Sequence, residues 1–167
     1  MDLKTLYSHL QRYSDFSQDH DPTDRYNTTN RFLDTVETIV THADPEAIPV
    51  FLAYLDDLHT PPEVNTALQR YILYYSLPSS LMAVFDNLAM LLNKAPLCTA
   101  DLLCALLDKM STPHVLYRLV QATDKDLVAR LIQALFVGHF HYADLVTYMA
   151  QEGAKTRPPA FSDPPPP

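Results

Sequence analysis

Hydrophobic positions recur at helical spacing along nearly the whole chain. Residues 2–13 place Leu3, Leu6, Tyr7 and Leu10 at i, i+3, i+4 and i+7, one face of a helix. Ser14 to Asn27 is polar, with DHDPTD in its middle, and predicts a loop long enough to be either disordered or functional. Thr28 or Thr29 then opens a helix whose apolar row is Phe32, Leu33, Val36, Ile39 and Val40. It ends near His42, whose ring suits the negative end of a helix dipole.

The stretch Asp44 to Ser76 reads as two helices joined by a tight corner. Asp44 caps the first and Pro45 takes its first turn, where a missing N–H costs nothing. Ile48, Phe51, Leu52 and Leu55 form its apolar row, and Pro49 either bends the helix or moves its start later. Thr60 caps the second helix, with Pro61 and Pro62 in the first turn and Glu63 closing a capping box. Its row is Val64, Ala67, Leu68, Tyr71, Ile72 and Tyr75, and Pro78 ends it.

Ser79 or Ser80 opens SLMAVFDNLAMLLNK, apolar nearly all round and therefore expected to be the most buried helix. Pro96 interrupts, and Thr99 opens a helix to Met110 through Leu102, Leu103, Leu106 and Leu107. Thr112–Pro113 precedes a helix from His114 to Ala122, and Thr123 with Asp126 boxes one that carries Leu127 to Phe136. Gly138 follows that helix, and Gly153 follows a last one, Tyr142 to Glu152. The tail, AKTRPPAFSDPPPP, is too rich in proline to join a core and suits a mobile or polyproline II segment.

These patterns predict an all-α chain of about nine helices, with residues 1–153 as one domain and 154–167 as a Pro-rich tail. The openings at 44, 79 and 112 lie 35 and 33 residues apart, the period of a helical hairpin. PEAIPVFLAYLDDLHTPPEVNTALQRYIL, with its Pro-led first helix, acidic corner and second helix, resembles a HEAT-type repeat. The resemblance covers residues 44–76 well and implies stacked antiparallel hairpins with a concave protein-binding surface. An irregular helical bundle accommodates the same helices.

Composition narrows the class. Only 2 glycines stand among 167 residues, too few for the positive-φ turns of a hairpin-rich sheet. The net charge of −8 counts against nucleic acid as a partner, since phosphate binding needs clustered Lys and Arg. Residues 1–60 hold eleven Asp/Glu against four Lys/Arg, a balance of −7, leaving −1 for the remainder. Such an acidic third either keeps the chain solvated or steers a basic partner. The longest apolar candidate, Leu81 to Leu92, is interrupted by Asp86 and Asn87, so no membrane span is expected. No signal peptide is expected either, since Met1 leads into DLKTLYSHL. Cys98 and Cys104 sit about 9 Å apart along one helix, too far for a disulfide, which fits free thiols and a cytoplasmic setting.

Catalytic motifs are missing. No GxSxG, HExxH or CxxC occurs, and 2 glycines cannot build a phosphate-cradling loop. His139 and His141 form the tightest histidine cluster, but a two-residue step turns helical side chains by about 200°. Asp56 and Asp57, as neighbours on a helix, diverge by about 100° and make a poor shared-proton dyad. Asp19, Asp21 and Asp24 lack the glycine and terminal glutamate of a calcium loop. The chain is therefore expected to be no enzyme and to need no metal or cofactor.

Tyrosine is the conspicuous aromatic, with 10 Tyr and no Trp. Tyr71, Tyr74 and Tyr75 gather on one helix, opposite Tyr54 on its partner. Phenol rings either fill space between helices or, at Tyr54 and Tyr74, join Glu46, Asp56 and Asp57 in a patch for an Arg-rich protein. The expected function is a non-enzymatic protein-binding module with a basic partner, in one form an immunity or antitoxin-type inhibitor of a toxin. A HEAT-like adaptor or assembly chaperone is the second form. A small metal- or ligand-binding protein using His139 and His141 is the alternative from another class.

Overall fold

The computed structural model describes residues 2–16, 22–110 and 114–155, and those residues form ten helices with no strand among them. They are α1 (Leu3–Arg12), α2 (Pro22–Thr41), α3 (Ala47–Tyr54), α4 (Pro62–Ile72) and α5 (Leu77–Asp86). The others are α6 (Leu88–Lys94), α7 (Pro96–Leu107), α8 (His114–Ala122), α9 (Lys125–Phe136) and α10 (Phe140–Lys155). Helices α2, α4, α7 and α9 pack one on the next, α1 covers α2, and α3 lies against α4, α5 and α6. At the far end α10 packs on α8 and α9. The predicted apolar rows form the core: Phe32, Val36, Ile39, Ile48, Phe51, Leu52, Leu55, Val64, Leu68 and Ile72 are all buried.

Several boundaries differ from the sequence reading. Helix α2 starts at Pro22, so much of the expected loop is helical and Thr28 and Thr29 lie inside a helix. Residues 17–21 of that loop and the Thr112–Pro113 opening lie outside the described residues. Pro45 and Glu46 form a turn in which the Asp44 carboxylate accepts the Glu46 N–H at 3.0 Å, and α3 begins at Ala47. Pro49 is thus in the first turn, where no intrahelical N–H is needed. Thr60 does not cap α4; its hydroxyl donates to the Tyr54 carbonyl at 2.8 Å, and Pro61 holds the cap position.

The expected helix 80–94 is two, which accounts for the tenth. Asn87 adopts φ −106°, and its side-chain amide donates to the Ala83 carbonyl at 2.8 Å, ending α5. Ser76, not Ser79 or Ser80, caps α5, and Pro78 opens that helix instead of closing the one before. The Ser80 hydroxyl is buried and donates to the Ile72 carbonyl. The most buried helix is α7, with Thr99 inside it bonding back to the Ala95 carbonyl. Asp124, not Thr123, caps α9. Helix α10 runs through Gly153 to Lys155, and the tail beyond it lies outside the described residues.

Gly138 does not take a left-handed conformation; the described residue that does is Ala43, at φ 52°, just after α2. A Cβ in that region costs about 1 kcal/mol, which glycine avoids. Ala43→Gly is expected to stabilise the fold by about 0.5 kcal/mol after the extra unfolded-state entropy is subtracted. Urea unfolding measures it, and a lower midpoint would contradict the assignment.

Candidate functional site

The five residues expected to form one patch occupy opposite ends of the α3–α4 pair. The two helices are joined by the short corner 55–61, which puts the end of α3 and the start of α4 together. Tyr54, Asp56 and Asp57 sit at that corner. Glu46 precedes the first residue of α3 and Tyr74 follows the last turn of α4, both at the other end. Eight residues of α3 separate the ends by about 12 Å.

At the corner the acidic side chains serve the fold. Asp56 is 8% exposed, and its Oδ1 accepts the N–H groups of Leu58 and His59 at 2.8 and 2.9 Å. His59 Nδ1 lies 3.1 and 3.2 Å from the two carboxylate oxygens. Burial raises the Asp56 pKa, but these hydrogen bonds and the His59 ring outweigh it and hold the carboxyl below its ordinary range. Asn65, itself buried, accepts the Asp56 N–H at 3.2 Å and donates to the Asp56 carbonyl at 2.8 Å. Asp57 reaches further. Its two oxygens accept the Leu97 and Cys98 N–H groups at 2.7 and 3.1 Å, capping α7 from forty residues away. The Asp57 N–H donates to the Lys94 carbonyl, and Lys94 Nζ donates to the Ala53 carbonyl at 2.6 Å.

Beside the corner is an open cavity of about 340 Å³ lined by Asp15, Phe16, Tyr54, Asp56, His59 and Lys94 among others. Tyr54 is half-buried and stands edge-on to Phe32 at 5.3 Å between ring centres. This corner therefore links the α3–α4 turn to the start of α7, with the Asp56 and Asp57 carboxylates each accepting two backbone N–H groups.

Away from that corner, acids and phenols of α1, α2 and α4 and of the turn before α3 act on one another. Asp34 and Glu37 are exposed on the polar face of α2, three residues apart, and pair with no basic side chain among the described residues. Tyr71, at the end of α4, has its phenol pushed up by burial and then by the negative charge of Glu37, with Asp34 adding less. Tyr74 is 65% exposed, its ring 6.2 Å from that of Tyr71. Tyr7 on α1 is raised by burial, then by Asp44 and Glu46; Tyr75 by burial, then by Tyr7 and Asp44. Two groups result: Tyr71, on which Arg70 also acts, with Asp34 and Glu37, and Tyr7 and Tyr75 with Asp44, the hydroxyls of these last two tyrosines being buried. Of the residues singled out in the sequence, Tyr74 lies beside Tyr71 and Glu46 acts on Tyr7. Asp34, Glu37 and Asp44 were missed, although the spacing of the first two on the polar side of an amphipathic helix was visible.

The histidine cluster divides as well. His139 Nε2 lies 2.7 Å from Asp101 Oδ1 on α7, whereas His141 is exposed with its ring against Tyr142. Among the described residues no three His, Cys, Asp or Glu side chains gather as metal ligands. Cys98 and Cys104 are free thiols, and burial, aided by neighbouring aspartates, pushes both up to about 12, which makes them poor nucleophiles at neutral pH. No described helix is long and apolar enough to cross a membrane. Compared with known protein families, curated proteins and solved structures, the chain matches none.

Proposed function

We propose that the chain is a non-enzymatic protein-binding module that takes a basic protein partner on the face formed by Asp34, Glu37, Glu46, Tyr71 and Tyr74. The observation that carries this reading is the exposed pair Asp34–Glu37, without an ion-pair partner among the described residues, beside the exposed ring of Tyr74. A guanidinium can stack on a phenol while pairing with a neighbouring carboxylate, so arginine-bearing surfaces suit the face best. An immunity or antitoxin-type inhibitor of a basic toxin is the first form of the proposal. The second is an adaptor or assembly chaperone on a HEAT-like stack.

The test begins with a partner captured from the native host and then measured in stopped flow. Reversing Asp34, Glu37 and Glu46 to Lys is expected to slow association by about tenfold at low salt, with the gap closing as the Debye length shortens. Asp56 and Asp57 are left intact because they hold the fold. A rate unchanged by the triple reversal would remove this face from the function.

A further inference from the structure

We propose that the open cavity beside the α3–α4 corner binds a small aromatic zwitterion of the free amino-acid kind, its ring against Phe16 and Tyr54, its carboxylate on Lys94 and its ammonium on His59 and Asp15. The cavity holds about 340 Å³, within the range that small-molecule sites occupy. Three separate parts of the chain line it: Asp15 and Phe16 after α1, Tyr54, Asp56 and His59 at the corner, and Lys94 at the end of α6. The apolar wall is fixed from behind. Phe32 is fully buried, and the rings of Phe16 and Tyr54 both stand edge-on to it, each 5.3 Å away between centres. Both of those rings are only half-buried, so a flat ligand ring can lie on them without displacing the core.

The polar groups are held in place with capacity to spare. Lys94 Nζ donates to the Ala53 carbonyl at 2.6 Å, which fixes the ammonium at the cavity. An ammonium has three N–H groups, and the two that Ala53 leaves over suit a ligand carboxylate. His59 Nδ1 lies 3.1 and 3.2 Å from the oxygens of Asp56. An ionised carboxylate only accepts, so Nδ1 carries the proton and Nε2 is an acceptor. The His59 side chain is 78% exposed, which opens Nε2 to a ligand ammonium. Asp15 adds a negative charge at the exposed rim. The lining therefore carries both signs beside an aromatic wall. A simple anion would be repelled by Asp15 and Asp56, and a simple amine by Lys94; a zwitterion answers both at once.

Phenylalanine is the probe, titrated into the full isotope-enriched chain and followed by the amide signals of Tyr54, His59 and Lys94. Saturation with a dissociation constant of about 1 mM or below is expected, which a ligand of so few atoms can reach. Phenethylamine lacks the carboxylate and 3-phenylpropanoate lacks the ammonium; each is expected to bind at least about tenfold more weakly. Lys94→Met removes the anion anchor and should erase the preference for phenylalanine over phenethylamine without weakening phenethylamine itself. The three ligands are also compared on the unaltered chain, so a variant that fails to fold does not decide the outcome. Signals that do not saturate by about 10 mM phenylalanine would overturn the proposal. Equal binding of the three ligands would do the same, as would a preference that survives Lys94→Met.

Discussion

Asn65→Ala is expected to lower the unfolding free energy by about 3 kcal/mol, measured as a fall in the urea midpoint at unchanged slope. Asn65 is 7% exposed, and its side-chain amide serves both backbone groups of Asp56. Alanine removes an acceptor and a donor at once, leaving a buried N–H and a buried carbonyl without partners, each costing about 1–3 kcal/mol. Asn65→Asp keeps the acceptor but loses the donor and adds a charge near Asp56, so it should be no milder. A loss under 1 kcal/mol for alanine would mean that the corner relaxes and that the Asn65–Asp56 clasp does not hold it.

The same corner sets an acid limit. The Asp56 carboxyl is held below its unfolded value, so the stability it contributes is present above the unfolded pKa of about 3.9 and fades as pH falls through the lower folded value.

Asp57→Ala comes second in size, with an expected cost of about 2 kcal/mol. Helix α7 begins at Pro96, so the Leu97 and Cys98 N–H groups have no intrahelical acceptor, and Asp57 supplies both of theirs from the α3–α4 corner. A carboxylate at that end also meets the positive pole of the helix dipole, an added contribution of about 0.3–1 kcal/mol. Asp57→Asn retains an acceptor and should recover part of the loss. If alanine and asparagine cost the same and both cost less than 0.5 kcal/mol, water replaces the cap and the cross-link between hairpins is incidental.

Much of the fold was legible because burial follows period. Phe32, Val36 and Ile39, or Ile48, Phe51 and Leu52, can share a face only in a helix, and they are the side chains found buried. Caps were harder to read. Thr60 and Thr123 look like helix openers, yet their hydroxyls turn back to the carbonyls of Tyr54 and Leu119. The choice between capping forward and bonding back rests on one backbone dihedral that composition does not specify.

The site was half legible for a similar reason. Asp56 and Asp57 carry the same charge as Asp34 and Glu37, but the N–H groups that occupy Asp57 lie forty residues along the chain and meet it only through tertiary packing. Local pattern ranks acids by identity; the fold sorts them by what is already bonded to them.

Several helices here rest on helices close to them in the chain, α1 on α2, α2 on α4, α7 on α9 and α9 on α10. Short loops suffice to close such contacts, so little chain entropy is spent before attraction begins to reward it. A nascent chain can therefore assemble in the order of its synthesis. The α1–α4 end, bearing the acids and phenols of the candidate face, can be complete while α9 and α10 are still to be translated.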